Sequence, residues 1–544
     1  VWTFDLESAK WSLKEPNTSP PGVCCNNQNV FDPVAGRYVR FPFFSGSHGW
    51  QWAREVYLND SSVWTYDLGE NRWRNRRPLP TPKLAPYRCA SWDSDEQVVV
   101  VFGGEGSSEG TLIYDPARNE WRWPKPMKEP PGRSGGNMTY DEARKLHVLF
   151  GSQFDNEQRT WTYDIRRNEW RDMQPELQPP TDKNDAVLTY DPLHKVVITI
   201  IKITTGKDED AKHELQTWSY DAGINRWQRL NPASEPEPSG NRARNLFFAP
   251  ELNLAILENC TSKPREQQVW TYRFGATPGD LKLPAIQPRD VVPLVEDAIA
   301  SVMDAKRVEL NWPQSESRSL GYHVERAVVE VYSDEQLKRL TKQTPPLEEP
   351  IVGAIRRIGP FKRLTTEPLK TTSFVDTSIN LNEPHAIEGE LTYDRPLHKD
   401  HLADGGREYR KAVFAYRIRA VDESGKESGP SSAVFTIPSS PQHVFSKEDG
   451  SKCHLKWAAS TEKHLAGYRV YRMDGRYDKD PVSRLNSKPQ AEATFTDDGA
   501  GKSSRRYYIV AVDAIGQEGF PSSPVWCNRE WRDYYTPFTG DWHQ

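Results

Sequence analysis

Short apolar runs alternate with polar turn residues along this chain, and in its first half the alternation keeps returning to one phrase. It reads VWTFDLESAKW from Val1, VWTYDLGENRW from Val63, TLIYDPARNEW from Thr111, TWTYDIRRNEW from Thr160 and TWSYDAGINRW from Thr217, with a clipped VWTYRFG from Val269. In each full copy the aspartate precedes the tryptophan by six residues, from Asp5 to Trp11 through Asp221 to Trp227. An aromatic strand, a polar turn and a second short strand predict a β-hairpin. Recurrence at roughly 50 residues predicts stacked equivalent units rather than one continuous sheet.

A second hairpin precedes the phrase in the later copies: QNVFDPVAGRYVRFPFF from Gln28, MTYDEARKLHVLFG from Met138, LTYDPLHKVVITII from Leu188 and LFFAPELNLAILE from Leu246. Each repeat is therefore expected to hold four strands, the first two flanking Asp32, Asp141 or Asp191, the last carrying the lone tryptophan. Asn71, Asn119, Asn168 and Asn225 stand two residues before that tryptophan. A tight turn there needs the left-handed conformation that asparagine tolerates. The aromatics are expected to wedge between neighbouring sheets, because a twisted four-stranded sheet buries both faces.

Composition narrows the function classes. The 544 residues suit three or four domains, and a mean hydropathy of -0.78 with 19 Trp and 43 Pro suits many short strands and turns. No apolar run approaches the ~18 residues of a spanning helix. A net charge of -5 gives no field that gathers phosphate, so nucleic acid is not an expected partner. The chain opens on Val1 inside a repeat, which reads as an upstream segment processed away or absent. Six cysteines are too few for a disulfide scaffold, and adjacent Cys24 and Cys25 fit no familiar zinc spacing.

The repeats resemble the kelch family, whose blades carry a glycine pair after the second strand and a tryptophan on the fourth. The likeness covers residues 1–274, with the N-terminal part of the first blade missing; only Gly103-Gly104 keeps the pair, against Gly151-Ser152 and Ser45-Gly46 elsewhere. The resemblance implies an all-β chain opening with a β-propeller. Counting gives two strands, then sixteen, then three; a further upstream segment would close six blades, with seven as the alternative.

A Pro/Gly-rich linker, 275–289, leads to two segments similar to fibronectin type III domains. From residue 438 to 528, CHLKW at Cys453, GYRVYRM at Gly467, ATFTD at Ala493 and RYYIVAVDAIGQEG at Arg506 follow the order of a seven-stranded sandwich. Trp457 and Tyr507 or Tyr508 fill the family's packed aromatic places. Residues 290–437 match piece by piece through VELNW, GYHVERA, TSFVDT and YRIRAVDESGKESGPSSA, with insertions at about 334–371 and 380–409. An aromatic tail, 529–544, ends the chain.

The candidate recognition site is the long loop from Ser45 to Ser62, where His48, Trp50, Trp52, Arg54 and Tyr57 can form a flat platform with a cation for a sugar ring or a protein anchor. The alternative is that its tryptophans cap the propeller. Trp531, Tyr534, Tyr535, Phe538 and Trp542 are expected to cover a groove of this chain or of a partner. Asp208, Glu209 and Asp210 read as a solvated run, and His398 with His401 lacks an identifiable third metal ligand. Cys453 and Cys527 are read either as a disulfide or as two buried thiols.

No copper-radical, sialidase, phosphate-loop or nucleophile-elbow motif appears, so no catalytic residue, metal or cofactor is assigned. The expectation is an exported, noncatalytic recognition or assembly subunit binding protein or glycan, placed extracellularly, at the cell surface or in the periplasm. The alternative is a secreted carbohydrate-active enzyme with a catalytic propeller.

Overall fold

A computed structural model describes the chain except residues 17–19, 21–27, 42–62, 83, 85–86, 105–109, 133–134, 153–158, 181–184, 207–210, 262–265, 276–285, 315–318, 332–354, 384, 395–412, 475–481, 523–524 and 529–544. The described residues are all-β, relieved by one short 3-10 turn at Pro250–Leu252.

The first half is a row of antiparallel meanders. Sheet I pairs Trp2–Asp5 with Lys10–Leu13. Sheet II runs Val30–Asp32, Arg37–Arg40, Trp64–Asp67, Arg72–Asn75; sheet III runs Cys89–Asp93, Val98–Phe102, Leu112–Asp115, Glu120–Arg122. Sheet IV follows with Asn137–Asp141, Leu146–Phe150, Trp161–Asp164, Glu169–Asp172, and sheet V with Asp185–Asp191, Val196–Thr205, Lys212–Asp221, Arg226–Arg229. Sheet VI has three strands, Ser239–Ala249, Leu254–Thr261 and Gln267–Tyr272. The first strands of sheets II to VI lie side by side in chain order. Among the described residues these sheets hold twenty-one strands, distributed as two, four sets of four, and three.

Repetition in sequence becomes repetition in bonding. Tyr66, Tyr114, Tyr163 and Tyr220 each donate a hydroxyl to the asparagine of their own turn, at 2.7 to 2.9 Å. Those asparagines have φ near +50°, so a side chain that accepts the left-handed turn also orients the tyrosine. From sheet III onward the asparagine amide reaches back to the preceding sheet: Asn119 to Arg76 O, Asn168 to Pro124 O and Asn225 to Met173 O. Trp170 and Trp227 likewise donate to Thr111 and Thr160 of the sheet before, each at 2.8 Å. The fourth-strand tryptophans are buried in sheets II to V. Trp2 and Trp11 of sheet I are 56% and 40% exposed, because among the described residues that hairpin has no inner strands beside it.

Two β-sandwiches follow. In the first, Ile299–Asp304, Arg307–Asn311 and Ser373–Asp376 face a larger sheet centred on Ser319–Val331 and Val413–Asp422. In the second, Phe445–Asp449, Lys452–Lys456 and Thr494–Asp497 face Val482–Arg484, Gly467–Met473, Arg505–Val512 and Val525–Cys527. The two cores correspond. Trp312 meets Tyr322 edge-on at 5.4 Å and Trp457 meets Tyr468 at 5.3 Å. Arg326 and Tyr416 converge on Asp376, as Arg472 and Tyr507 converge on Asp497. Alternation settles the choice between the adjacent tyrosines: Tyr507 enters the core and Tyr508 faces outward. The structure pairs Cys453 with Cys527, Cα atoms 6.2 Å apart.

The insertions of the first sandwich extend its sheet. Ile355–Ile358 and Lys362–Arg363 pair with the thirteen-residue strand Ser319–Val331, and Tyr393–Asp394 pairs with Ile355–Ile358. Their apolar face forms a second core with Val329, Phe435 and Ile437, and this core also takes in Leu79 from the first half and Phe520 from the second sandwich.

Candidate functional site

The best-built polar site among the described residues lies where the first half meets the first sandwich. Strand Arg72–Asn75 and the residues after it place Arg72, Arg74 and Arg76 on alternate positions, and Arg37 stands on the strand Arg37–Arg40 of the same sheet. The chain entering the first sandwich delivers Glu296 and Asp297 into this row. Glu296 Oε1 lies 2.5 Å from Arg37 Nη1 and 2.6 Å from Arg76 Nη1. Asp297, held at φ +53°, takes a two-pronged contact from Arg72 at 2.9 and 3.0 Å and further bonds from Arg74. Charge-assisted, forked bonds of this kind fix orientation as well as energy.

Burial and charge oppose each other at this clamp. Burial raises the Glu296 carboxyl, but Arg76 and Arg37 outweigh it and hold the group at about 2. Arg74 and Arg76 remain cationic for the reciprocal reason. Upstream, Arg289 forks onto Asp115 at 2.9 and 2.6 Å, while Gln97 binds Gln287 O and the Arg289 amide. The described end of the expected linker is thus tied to sheet III. Downstream, Ser432 donates to Asn75 O, Arg77 to Ala433 O, and Gly429 lies against the Arg118 carbonyl.

A second cluster has the composition of a hydrolytic relay. Ser91 Oγ is 2.6 Å from His147 Nδ1, and His147 Nε2 is 3.2 Å from Asp93 Oδ2. Burial raises the Asp93 carboxyl, yet the His147 bond and the amides of Glu96 and Asp95 hold it below the usual range. A relay needs an approachable hydroxyl. Here His147 and Asp93 are fully enclosed, Ser91 is 4% exposed, and the Tyr140 ring lies tilted against the imidazole at 4.9 Å. The arrangement ties sheet III to sheet IV. His147 belongs to the MTYDEARKLHVLFG hairpin, whereas its partners Ser91 and Asp93 belong to a different repeat, which local spacing does not reveal.

The platform residues His48, Trp50, Trp52, Arg54 and Tyr57 lie outside the described residues, as do Asp208 to Asp210, His398, His401 and the tail aromatics Trp531, Tyr534, Tyr535, Phe538 and Trp542. Of the sequence candidates the structure brings together Cys453 and Cys527. Sequence reading did not find the clamp, because its carboxylates stand 225 and 259 residues from the Arg72 and Arg37 that bind them. Its one sequence signal is that Arg72, Arg74, Arg76 and Arg77 crowd a single repeat. No helix among the described residues is long and apolar enough to cross a membrane.

No protein-family model matches the chain. A stretch of 128 residues is 33% identical to Exoglucanase B of Cellulomonas fimi, covering 21% of this chain and 11% of that protein; the chain therefore spans about a tenth of that relative. Among solved structures, a two fibronectin type-III domain segment from chicken tenascin is similar at 12% identity, covering 43% of this chain and 97% of that one, with a TM-score of 0.15. The FN1-FN3 domains of chicken CNTN1 are similar at 13% identity, covering 61% and 93%, with a TM-score of 0.17.

Proposed function

We propose that this chain is an exported, noncatalytic recognition or assembly subunit, in which a kelch-like propeller at 1–274 displays binding loops and two fibronectin type III-like domains, at 290–437 and 438–528, hold it in place. The propeller reading is supported by meanders of four strands whose first strands adjoin in chain order, with side chains bonding each sheet to the one before.

The observation that carries the functional reading is the clamp. Ion pairs from Glu296 and Asp297, and a core shared by Leu79 and Phe520, lock the sheet row to both sandwiches. Rigid coupling suits a part that presents a surface at a fixed angle. On this reading the recognition residues are those of the Ser45–Ser62 loop, where a protein anchor or sugar ring would stack on Trp50 and Trp52, with His48, Arg54 and Tyr57 supplying polar and cationic contacts. The competing reading, a secreted carbohydrate-active enzyme with a catalytic propeller, draws on the partial likeness to an exoglucanase.

One experiment separates them. Purified chain is incubated with cellulose, xylan and chitin, and with the proteins that copurify with the untagged native chain, and both retention and reducing-sugar release are measured. Saturable retention lost in the Trp50→Ala/Trp52→Ala variant at unchanged melting temperature supports recognition. Sugar release supports the enzyme, and retention unaltered by the double substitution removes the platform.

A further inference from the structure

One face of sheet II is built unlike its counterparts. The second and third strands of sheets II to V pair in the same register, so positions match from repeat to repeat. Opposite the third-strand tyrosine stand Tyr38, Val99, His147 and Val197; two residues further along stand Arg40, Val101, Leu149 and Thr199. In sheets III to V both positions are fully enclosed, whereas Tyr38 is 40% exposed and Phe31, paired with it across the strands, is 56% exposed. Sheet VI departs in the matching way. The next position along the second strand carries Phe41, Phe102, Phe150 and Ile200 in sheets II to V, each packed on the sheet that follows, and Glu258 in sheet VI. Asn245 and Gln267 hold the Glu258 carboxylate at 2.8 and 2.6 Å, and Phe247 on the same face is 48% exposed.

Sheets II and VI are the two ends of the row of first strands, and these two faces look toward one another. Burial pushes the Tyr38 phenol up and the Glu258 carboxylate adds to it, against Arg40 and Asn29. Aromatic and charged groups therefore line the opening where apolar faces close the other joints. Arg40 makes no hydrogen bond or ion pair among the described residues; its guanidinium lies 5.9 Å from the centroid of the Trp73 ring. Burial disfavours its cation, and Arg88, close enough to repel it, is lowered to about 9 by burial and by Arg40. A desolvated cation without a counter-charge is costly, and an anion at Arg40 offsets that cost.

We propose that the opening between sheets II and VI, lined by Phe31, Tyr38, Arg40, Phe247 and Glu258, binds a glycan that carries carboxylates, a chain of uronic acid sugars. The site stands beside the Ser45–Ser62 platform and does not depend on it. Arg40 offers a forked set of donors to a sugar carboxylate. Phe31 and Tyr38 offer flat apolar faces to the rings, and Glu258, on the opposite wall, accepts from ring hydroxyls, so acid and hydroxyl ends are told apart. A few placed polar groups on aromatic walls is the usual make-up of a small-ligand site. Both walls are sheet faces rather than edges, so an added peptide strand finds no main-chain ladder to join.

The test titrates the full chain calorimetrically with soluble oligomers of galacturonate, mannuronate and glucuronate, and with methyl-esterified oligogalacturonate and poly-glutamate as comparisons. At least one uronate series is expected to bind, with its dissociation constant raised at least about tenfold by Arg40→Gln. Arg40→Lys, which keeps the charge and loses the fork, should fall between. Phe31→Ala, at an exposed ring, should weaken binding at an unchanged melting temperature and keeps the test open if the Arg40 variants do not fold. Binding of no uronate series, equal binding of the esterified oligomer or of poly-glutamate, or parental affinity in both Arg40→Gln and Phe31→Ala overturns the site. Trp50→Ala/Trp52→Ala separates it from the platform. Loss of uronate binding in that variant alone places the glycan on the platform and overturns the opening as its site; loss in Arg40→Gln with parental affinity in the tryptophan variant sustains the opening whatever the platform does.

Discussion

Leu79, which follows the fourth strand of sheet II, and Phe520, in the second sandwich, lie in one hydrophobic core. Neither belongs to the sandwich that builds most of that core. Ile355 and Ile358, from the insertion, belong to the same core. The joint brings side chains of the first half and of both sandwiches into one core, although their sequences read as separate domains.

Phe520→Ala should therefore do more than lower stability. A cavity of this kind costs about 3 to 5 kcal/mol, and here it falls at the joint. Calorimetry is expected to show one dominant unfolding transition in the parent chain and a separated, earlier transition of the second sandwich in the variant. A single transition shifted as a whole would show that the second sandwich is coupled elsewhere.

The clamp predicts acid sensitivity with a definite sign. Glu296 is held at about 2 when folded against an ordinary value of 4.5, so its stabilisation is complete above the unfolded value and is lost as pH falls from about 4.5 towards 2. The shift corresponds to about 3 kcal/mol. Glu296→Gln should remove most of that at pH 7 and flatten the stability profile between pH 5 and 2. A variant with the parental acid profile would place the acid response in other carboxylates.

Glu309 carries a second acid-sensitive joint. Lys463 bonds it at 2.7 Å and His464 at 3.1 Å, linking the two sandwiches, and these bonds, opposed by burial, hold its carboxyl at about 2. Glu309→Gln should loosen the sandwich pair without affecting the clamp, so small-angle scattering at pH 7 should report a larger radius of gyration for the variant. An unchanged radius would mean that the packing of Phe520 alone sets the angle.

What was legible follows from the range of each interaction. Hairpins, turn asparagines and fourth-strand tryptophans come from spacing within a repeat, and Asn71, Asn119, Asn168 and Asn225 occupy the left-handed turns their positions implied. The Tyr507 and Tyr508 ambiguity closed only once register was known. Glu296 with Arg76, and Ser91 with His147, depend on how repeats and domains dock, and nothing local marks them. The insertion was visible as an interruption, whereas its role in the shared core lay in Ile355 and Ile358, ordinary β-branched residues beside charged stretches.

Trp170→Ala tests whether the repeated tryptophans carry the sheet packing. The indole stacks on Tyr163 at 4.9 Å, meets Phe102 of sheet III at the same distance, and donates to Thr111. Removing it leaves a cavity across two sheets and an unfilled threonine acceptor, for an expected loss of about 3 to 5 kcal/mol in reversible denaturation. A loss under about 1 kcal/mol would mean that the sheets are held by their backbone connections and by the asparagine bonds.

Gly429→Ala probes the docking surface without touching a charge. A Cβ at Gly429 would stand 1.9 Å from the carbonyl oxygen of Arg118 and 2.6 Å from its carbon. That carbonyl has no room to retreat. The Arg118 amide is bound by Asp115, and the next residue, Asn119, is fixed by Arg76 O on one side and faces Pro430 O on the other. One methyl group must then push the first sandwich away from sheet III, lengthening the Ser432 bond to Asn75 and the Arg77 bond to Ala433. Overpacking costs about 1 to 3 kcal/mol, and because the strain lies between modules, limited proteolysis between them should accelerate more than the core unfolds. Gly132→Ala, with nothing within 4 Å of the added carbon, is the matched control and should behave as the parent. Equal proteolysis of both variants would show that sheet III and the first sandwich do not meet at Gly429 in solution.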